Sequence, residues 1–373
     1  MRVLLVSEYF PPHWTGLSKS FYYLARNVKS QGNKVTVLTT QFESNQKRLD
    51  RVRGIDVVRV PFQFMISRTH YSFSIIFEFA RMVPGYDAVI INSPNSNILF
   101  YSVIAKLYRK KLYVYHQADI LLPRHTGNIA LHFLIEQLFE VMTIPSMFLA
   151  DRVSSFTKDY AEFSRVMKYF TGKFQPYIPD VRLSKKAPSA KLRKKLDSLK
   201  KKHRLIGISG RFVEEKGFDV LFKALPHILE KFPDAHLVFA GKKILDYEPF
   251  YEKHKKLFDS QKMNITYLGF LDEGDLSYFY ESLDVFVLSS RIECFALTQI
   301  EAWEKHVPII VTDVPGARQL VKRSGFGEIV NREDPKSLAD GIIKVLKNPK
   351  KYQKHHSKAK KYLESAQDFI LIS

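Results

Sequence analysis

The sequence predicts an α/β protein built from two doubly wound parallel-sheet domains in series. Three observations predict it. The chain has 373 residues, too many for one ordinary hydrophobic core. Its short runs rich in β-branched residues are apolar at nearly every position, as strands covered by helices on both faces must be. Those runs alternate with amphipathic segments of roughly 10 to 20 residues, and the alternation occurs twice.

In the first half the expected strands are 2–7 (RVLLVS), 34–39 (KVTVLT), 56–60 (DVVRV), 87–92 (DAVIIN), 111–116 (KLYVYH) and 152–156. In the second half they are 204–209 (RLIGIS), 235–241 (AHLVFAG), 264–269 (NITYLG), 284–289 (DVFVLS) and 308–312 (PIIVT). Stop signals such as Gly32, after LARNVKSQ, end the intervening helices. The basic stretch 182–204, which contains Pro188, is the expected linker region. Domains are expected at 1–182 and 183–350, with a basic helical segment at 351–373 that crosses back to the first domain. Ligands of open α/β sheets bind outside the carboxyl ends of the strands, so the informative loops follow the strands, and two such domains imply a cleft.

Composition narrows the class. Apolar residues make up 45% and charged residues 26%, a profile of a folded chain rather than a disordered one. The single cysteine, Cys294, allows no internal disulfide and fits a reducing compartment, so a cytoplasmic location is expected. The start MRVLLVSEYFPP has too short an apolar core for a signal peptide. The greasiest region, 131–153, carries His132, Glu136, Gln137 and Glu140 and does not read as a membrane span. The net charge of +20 calls for an acidic partner. Stretch 182–204 has eleven Lys or Arg against one Asp, and 344–362 has eight Lys and no acid. Each reads either as a solvated helix face or as contact with an anionic membrane surface. The first stretch has no aromatics interleaved with its bases, so nucleic acid is not expected as a partner.

Four strand ends carry candidate chemistry. After Ser209 comes GRFVEEKG (210–217), with Arg211 and Lys216 on either side of a glycine-bounded turn that opens a helix. Two cations beside a helix N-terminus suit a diphosphate, although a surface Arg and Lys on a loop fit the same letters. No P-loop pattern is present. After Ser289 comes SRIECFALTQIEAW, with Glu293 in the turn and Glu301 about two helical turns on. Residues 295–298 would then offer backbone amides, and the carboxylates would accept bonds from hydroxyls. In the first half, Gly16 follows strand one and would let backbone approach a ligand. His116 ends the strand KLYVYH, either as a site residue facing the cleft or as a satisfied structural histidine.

This ordered set resembles the retaining, nucleotide-sugar-dependent glycosyltransferases of the GT-B fold, family 4. The resemblance rests on EYFPP…G (8–16), YVYH (113–116), GR…KG (210–217), the stretch 267–290, the E-x7-E pair Glu293 and Glu301, VPIIVTDVPGARQLV (307–321) and the stretch 327–349. It implies two Rossmann-like domains facing a cleft, with the acceptor side in the first and nucleotide-sugar binding in the second. It implies that Arg211 and Lys216 bind the donor diphosphate and stabilise the leaving group, and that Glu301 holds the ribose hydroxyls. Glu293 would sit at the transferred sugar, with backbone of Phe295, Ala296 and Leu297 on sugar and phosphate. His116 would lie at the donor sugar or reaction centre, and Gly16 would line the donor site. The implied reaction moves a hexose from a UDP- or GDP-sugar to a glycan or lipid-linked acceptor with retention. No cofactor is expected, and with no Asp-x-Asp motif and cations already in the loop, no metal either. Four positions depart from the family's pattern: Leu17 and Ala296 stand where glycine is usual, His306 replaces a glycine before VP, and YIPDVRL (177–183) lacks the usual Asn-Gly. Leu17 and Ala296 are expected to narrow the space beside the phosphates. The alternatives are an epimerase or phosphorylase of the same fold, and a non-catalytic basic binding protein.

Overall fold

Strands form where Val, Ile, Leu and Tyr run without interruption, and helices form where polar residues return every three or four positions. A computed structural model describes residues 1–66, 69–122, 128–245 and 248–371. Contacts divide the chain into two units, Met1–Asp180 together with the residues from Ala366 onward, and Val181–Ser365. The expected terminal segment 351–373 is thus shared between the units, passing from the second to the first at Ala366.

The first unit runs β1 (Arg2–Ser7), α1 (Gly16–Ser30), β2 (Lys34–Gln41), β3 (Leu49–Val52), β4 (Ile55–Pro61), β5 (Phe64–Ile66), β6 (Thr69–Tyr71), α2 (Ser74–Met82), β7 (Ala88–Ser93), α3 (Ile98–Leu107), β8 (Lys111–His116), α4 (Ile129–Leu149), β9 (Arg152–Ser155), α5 (Lys158–Phe163) and β10 (Phe174–Pro176). Its main sheet has the order β10-β9-β8-β7-β1-β2-β4-β3. Every pairing is parallel except β3 with β4. The strand order reverses between β1 and β7, the position where open sheets place ligands. Val3, Leu4, Leu5 and Val6 are fully buried, as a strand covered on both faces must be. Thr15 caps α1 through a reciprocal pair of bonds with Ser18, which fixes where the chain leaves β1 and turns back.

The second unit runs α6 (Ala190–Lys200), β11 (Arg204–Ser209), α7 (Phe218–Lys231), β12 (Ala235–Ala240), α8 (Phe250–Ser260), β13 (Ile265–Gly269), α9 (Glu273–Ser282), β14 (Val285–Leu288), α10 (Leu297–Glu304), β15 (Ile309–Thr312), α11 (Gln319–Ser324), β16 (Gly327–Val330), α12 (Pro335–Lys347), α13 (Pro349–Gln353) and α14 (His356–Glu364). Its six strands are all parallel in the order β13-β12-β11-β14-β15-β16, with the reversal between β11 and β14. The basic stretch 182–204 is not a linker between the units. It lies within the second unit as α6, whose Leu192 and Leu196 are buried while its lysines face solvent.

Candidate functional site

The loops after β11 and β14 flank the strand reversal of the second unit, and seven of the expected site residues (Arg211, Lys216, Glu293, Phe295, Ala296, Leu297 and Glu301) belong to them or to the helix that follows β14. Their shapes are set by backbone constraints. Gly217 takes φ 63° and caps α7, and a Cβ there would lie 2.1 Å from the Ser289 carbonyl oxygen. Only glycine lets the two loops approach so closely. The Ser289 hydroxyl donates to the Lys216 carbonyl at 2.9 Å and stitches the same two loops together.

Lys216 and Glu293 meet across this junction at 2.5 Å. The Lys216 side chain keeps 24% of its exposure and Glu293 keeps 9%, so the ammonium can still be reached by an anion. Burial works against the charged lysine, but the Glu293 carboxylate beside it holds the Lys216 pKa above its ordinary value. Burial and the same carboxylate push the Cys294 thiol up, so it is not a thiolate nucleophile. Arg211 is exposed and pairs with Glu215 at 3.5 Å. Glu301 is buried on α10 and accepts a bond from the Tyr280 hydroxyl at 2.7 Å. That hydroxyl has spent its proton on Glu301, so the Ser209 hydroxyl at the end of β11 donates to it, at 2.8 Å. Burial, and then Glu301, raise the Tyr280 pKa well above its usual value, which keeps the phenol a donor.

Between the two acids, Phe295 is buried, Leu297 begins α10 and Ala296 caps it. Ala296 adopts φ 67° and ψ 99°, a backbone conformation that suits glycine. His306 likewise has φ 59°. Two of the three glycine-to-other departures noted in the sequence, Ala296 and His306, thus fall where the backbone itself favours glycine, whereas the third, Leu17, lies in the first turn of α1. At Ala296 the consequence is strain, beyond the narrowing expected from its methyl group.

Sequence reasoning missed the residue that organises the site. Arg291 donates to both carboxylate oxygens of Asp219 at 2.9 Å, to Glu333 at 2.9 Å and to the Glu214 carbonyl at 2.8 Å. Its backbone amide donates to the Glu215 carbonyl at 2.8 Å. It therefore suspends the turn that carries Lys216 from the first turn of α7. Burial disfavours the guanidinium charge, but its bonds to Asp219 and Glu333 raise the Arg291 pKa. The signal was available as an arginine next to a strand end, but its partner lies 72 positions away. The buried Ser290 hydroxyl beside it has no hydrogen-bond partner among the described residues.

In the first unit, Gly16 is the first residue of α1, exposed, with open space where a Cβ would stand. Leu17 is half-buried, and its carbonyl accepts from Gln117 at 3.1 Å. His116 is 2% exposed with both ring nitrogens engaged, Nδ1 with Ser93 at 2.9 Å and Nε2 with Asp119 at 3.0 Å. Burial alone would raise the Asp119 pKa, but bonds from His116, Ser164 and the Arg165 amide hold it below the usual carboxylate value. Asp119 therefore stays ionised, accepts from His116 Nε2–H and fixes the ring's tautomer. Among the described residues, no three His, Cys, Asp or Glu side chains group as metal ligands.

Known proteins resemble this chain in sequence and in fold. The family model for glycosyl transferases group 1 matches residues 190–362. An uncharacterized glycosyltransferase of Methanocaldococcus jannaschii is 32% identical over 149 residues, covering 38% of this chain and 36% of that protein. A capsular polysaccharide biosynthesis glycosyltransferase of Staphylococcus aureus, CapM, is 31% identical over 156 residues, 42% of this chain and 40% of that one. The chain spans less than half the length of these relatives. Among solved structures, sucrose-phosphate synthase from Thermosynechococcus elongatus superposes with a TM-score of 0.74 at 15% identity, over 99% of this chain and 95% of that one. Anabaena HepE in complex with UDP-glucose gives 0.73 at 16% identity, over 99% and 96%. The glycosyl transferases group 1 model thus covers residues 190–362, a little under half of the chain, and the fold of the chain is that of the GT-B glycosyltransferases.

Proposed function

We propose that the protein is a glycosyltransferase that moves a hexose from a nucleotide-diphosphate sugar, a UDP- or GDP-sugar, to a glycan or lipid-linked acceptor, with retention and without a metal. The observation that carries this reading is the meeting of Lys216 with Glu293 at the strand reversal of the second unit, with Arg211 on the same loop and Glu301 on the following helix. The arrangement supports a diphosphate against Arg211 and Lys216, ribose hydroxyls on Glu301 and the transferred sugar against Glu293. As the bond from the anomeric carbon to the diphosphate oxygen breaks, the two cations neutralise charge on the departing phosphate. The Glu293 carboxylate stabilises positive charge developing on the sugar ring. The acceptor oxygen bonds to the anomeric carbon on the face the phosphate leaves, and its proton passes to a phosphate oxygen. HepE in complex with UDP-glucose, which shares the fold, supports a UDP-sugar as the first donor to try.

The net charge of +20 supports an acceptor at an anionic membrane surface, with the protein on its cytoplasmic side. The test is a thermal-shift screen of UDP, GDP, ADP and their sugars, followed by donor turnover. A donor that binds only the folded protein raises its unfolding temperature. Absence of any shift with all of these nucleotides overturns the reading. Turnover of the donor without any acceptor favours the epimerase alternative instead.

A further inference from the structure

The helices α3 and α4 of the first unit carry a surface that the proposed chemistry does not use. Soluble helices turn their apolar side inward, and α4 does the reverse. Every exposed residue on it is apolar. Leu131, Leu134, Leu138, Val141 and Phe148 recur at spacings of three, four, three and seven, on one stripe, each between 51% and 67% exposed. Its two acids face the protein instead. Glu136 is fully buried, accepts from the Leu122 amide at 2.8 Å and from Arg165 at 3.0 Å, and Glu140 also pairs with Arg165. Those bonds anchor the middle of α4 to its own unit. A helix so anchored lies on a surface rather than crossing a bilayer, although it is long and apolar enough to cross by length and composition.

The neighbouring helix repeats the pattern. On α3 the exposed positions are Phe100, Val103 and Leu107, all apolar, and α3 packs directly against α4. The two outward faces make one apolar field, larger than scattered exposed side chains produce. At its end the field is bounded by cations. Arg109 and Lys110 follow α3, and Lys173 donates to the carbonyls of Phe148 and Ala150 at the end of α4. Asp151, the acid between them, is already paired with Lys106 at 2.7 Å.

We infer that this α3–α4 face is where the protein seats itself on an anionic phospholipid bilayer, with the apolar stripe in the acyl–headgroup boundary and the cations on lipid phosphates. Charge favours a bilayer over a second copy of the chain, because two copies at +20 repel, and most strongly where like-charged rims meet. The inference extends the membrane partner proposed above. It moves the contact away from the basic stretches 182–204 and 344–362.

The test is co-sedimentation of the full chain with vesicles of phosphatidylcholine alone and with about a third phosphatidylglycerol. The wild type is expected to bind the anionic vesicles, and Leu138→Glu on α4 and Leu107→Glu on α3 each lower the partition coefficient at least about tenfold. Both side chains are exposed, so the variants should keep the wild-type unfolding temperature and nucleotide-dependent thermal shift. Wild type that ignores anionic vesicles at low salt overturns the inference, as do folded variants that bind undiminished. A concentration-dependent dimer that both variants abolish overturns it too and makes the face a self-association surface. Nucleotide binding is read separately, so loss of the transferase reading and loss of the membrane reading are distinguishable.

Discussion

Removing the Arg291 side chain should do more damage than its place beside the proposed site suggests. Arg291→Ala strips four bonds at once: two to Asp219, one to Glu333 and one to the Glu214 carbonyl. Asp219 is 3% exposed, so its carboxylate is left charged and nearly dry. Breaking a buried pair from one side costs about 3–5 kcal/mol. Lys223, 3.7 Å from Asp219 and largely exposed, offsets part of this, so the lower end, about 3 kcal/mol, is expected. For a unit of this size that is a fall of about 6–12 °C in unfolding temperature. Bonds from Arg291 hold the Asp219 carboxyl below its usual pKa against the opposing effect of burial, so Asp219→Ala should cost a similar amount. The double variant removes both members of the pair and leaves no stranded charge. Its cost should fall short of the sum by about 2 kcal/mol or more, measured as a double-mutant cycle by thermal or urea unfolding. Costs that simply add, or a single-variant loss under about 2 °C, would refute the argument. Arg291→Ala should also weaken the nucleotide thermal shift, because the turn bearing Lys216 loses its suspension.

Three further outcomes follow from the same geometry. Glu293→Gln keeps shape but removes the charge opposite Lys216, so turnover of the donor should fall about 10²–10³-fold while nucleotide binding persists; unchanged kcat would assign Glu293 a purely structural role. Ala296→Gly relieves an unfavourable φ and should raise stability by about 0.5–1 kcal/mol in urea titration, whereas His306→Gly gains less, because His306 stacks on His356 with centroids 3.8 Å apart. The pKa of His236 is lowered to about 4 by burial and by His203, so its contribution to stability is complete above pH 6.5 and is lost as pH falls toward 4. At pH 5 that is about 2 kcal/mol, and His236→Asn should flatten this part of the acid limb measured by unfolding between pH 7 and 4.5.

Legibility tracked how local each determinant is. The eleven strands expected from apolar runs are all present, because burial on both faces writes an unbroken signature. The strands that were missed, β3, β5, β6, β10 and β16, have three or four residues each, and their pairing is decided by neighbours rather than by their own letters. At β16, for example, Gly327 sits so near the Ile309 carbonyl that a Cβ would lie 1.8 Å away. The run of lysines at 182–204 hid a helix whose only core signal is Leu192 and Leu196, four apart. On α4 the apolar letters were plain, but a periodic pattern does not say which face a helix turns inward. Only the bonds of Glu136 and Glu140 to Arg165 show that the acids face in. Strand-end position was enough to single out Lys216 and Glu293, which the structure brings into contact. Asp219 and Tyr280 were not found, because each matters only through a partner far away in sequence.

The two strand reversals differ in chemistry. In the first unit, alongside the ionised Asp119 and the buried Glu8, the strand ends carry neutral polar groups bonded to one another, with no Lys or Arg bonded to them among the described residues: Gln117 bonds Asn92 at 2.6 Å, Asn92 bonds Ser7 at 3.1 Å, and Ser93 bonds His116. In the second unit the strand ends present Lys216, Glu293 and Arg211, with Glu301 close behind on α10. A diphosphate needs fixed positive charge, since neutral donors alone repay little of its lost hydration. Hydroxyl-rich sugars need donors and acceptors at set angles, which neutral amides and hydroxyls supply without the desolvation cost of an ion. If the second unit takes the donor's diphosphate, the first is chemically suited to carbohydrate hydroxyls. In that case Asn92→Leu or Gln117→Leu should raise the KM for acceptor and leave nucleotide thermal shifts unchanged, and a loss of nucleotide binding instead would show that this division of chemistry is wrong.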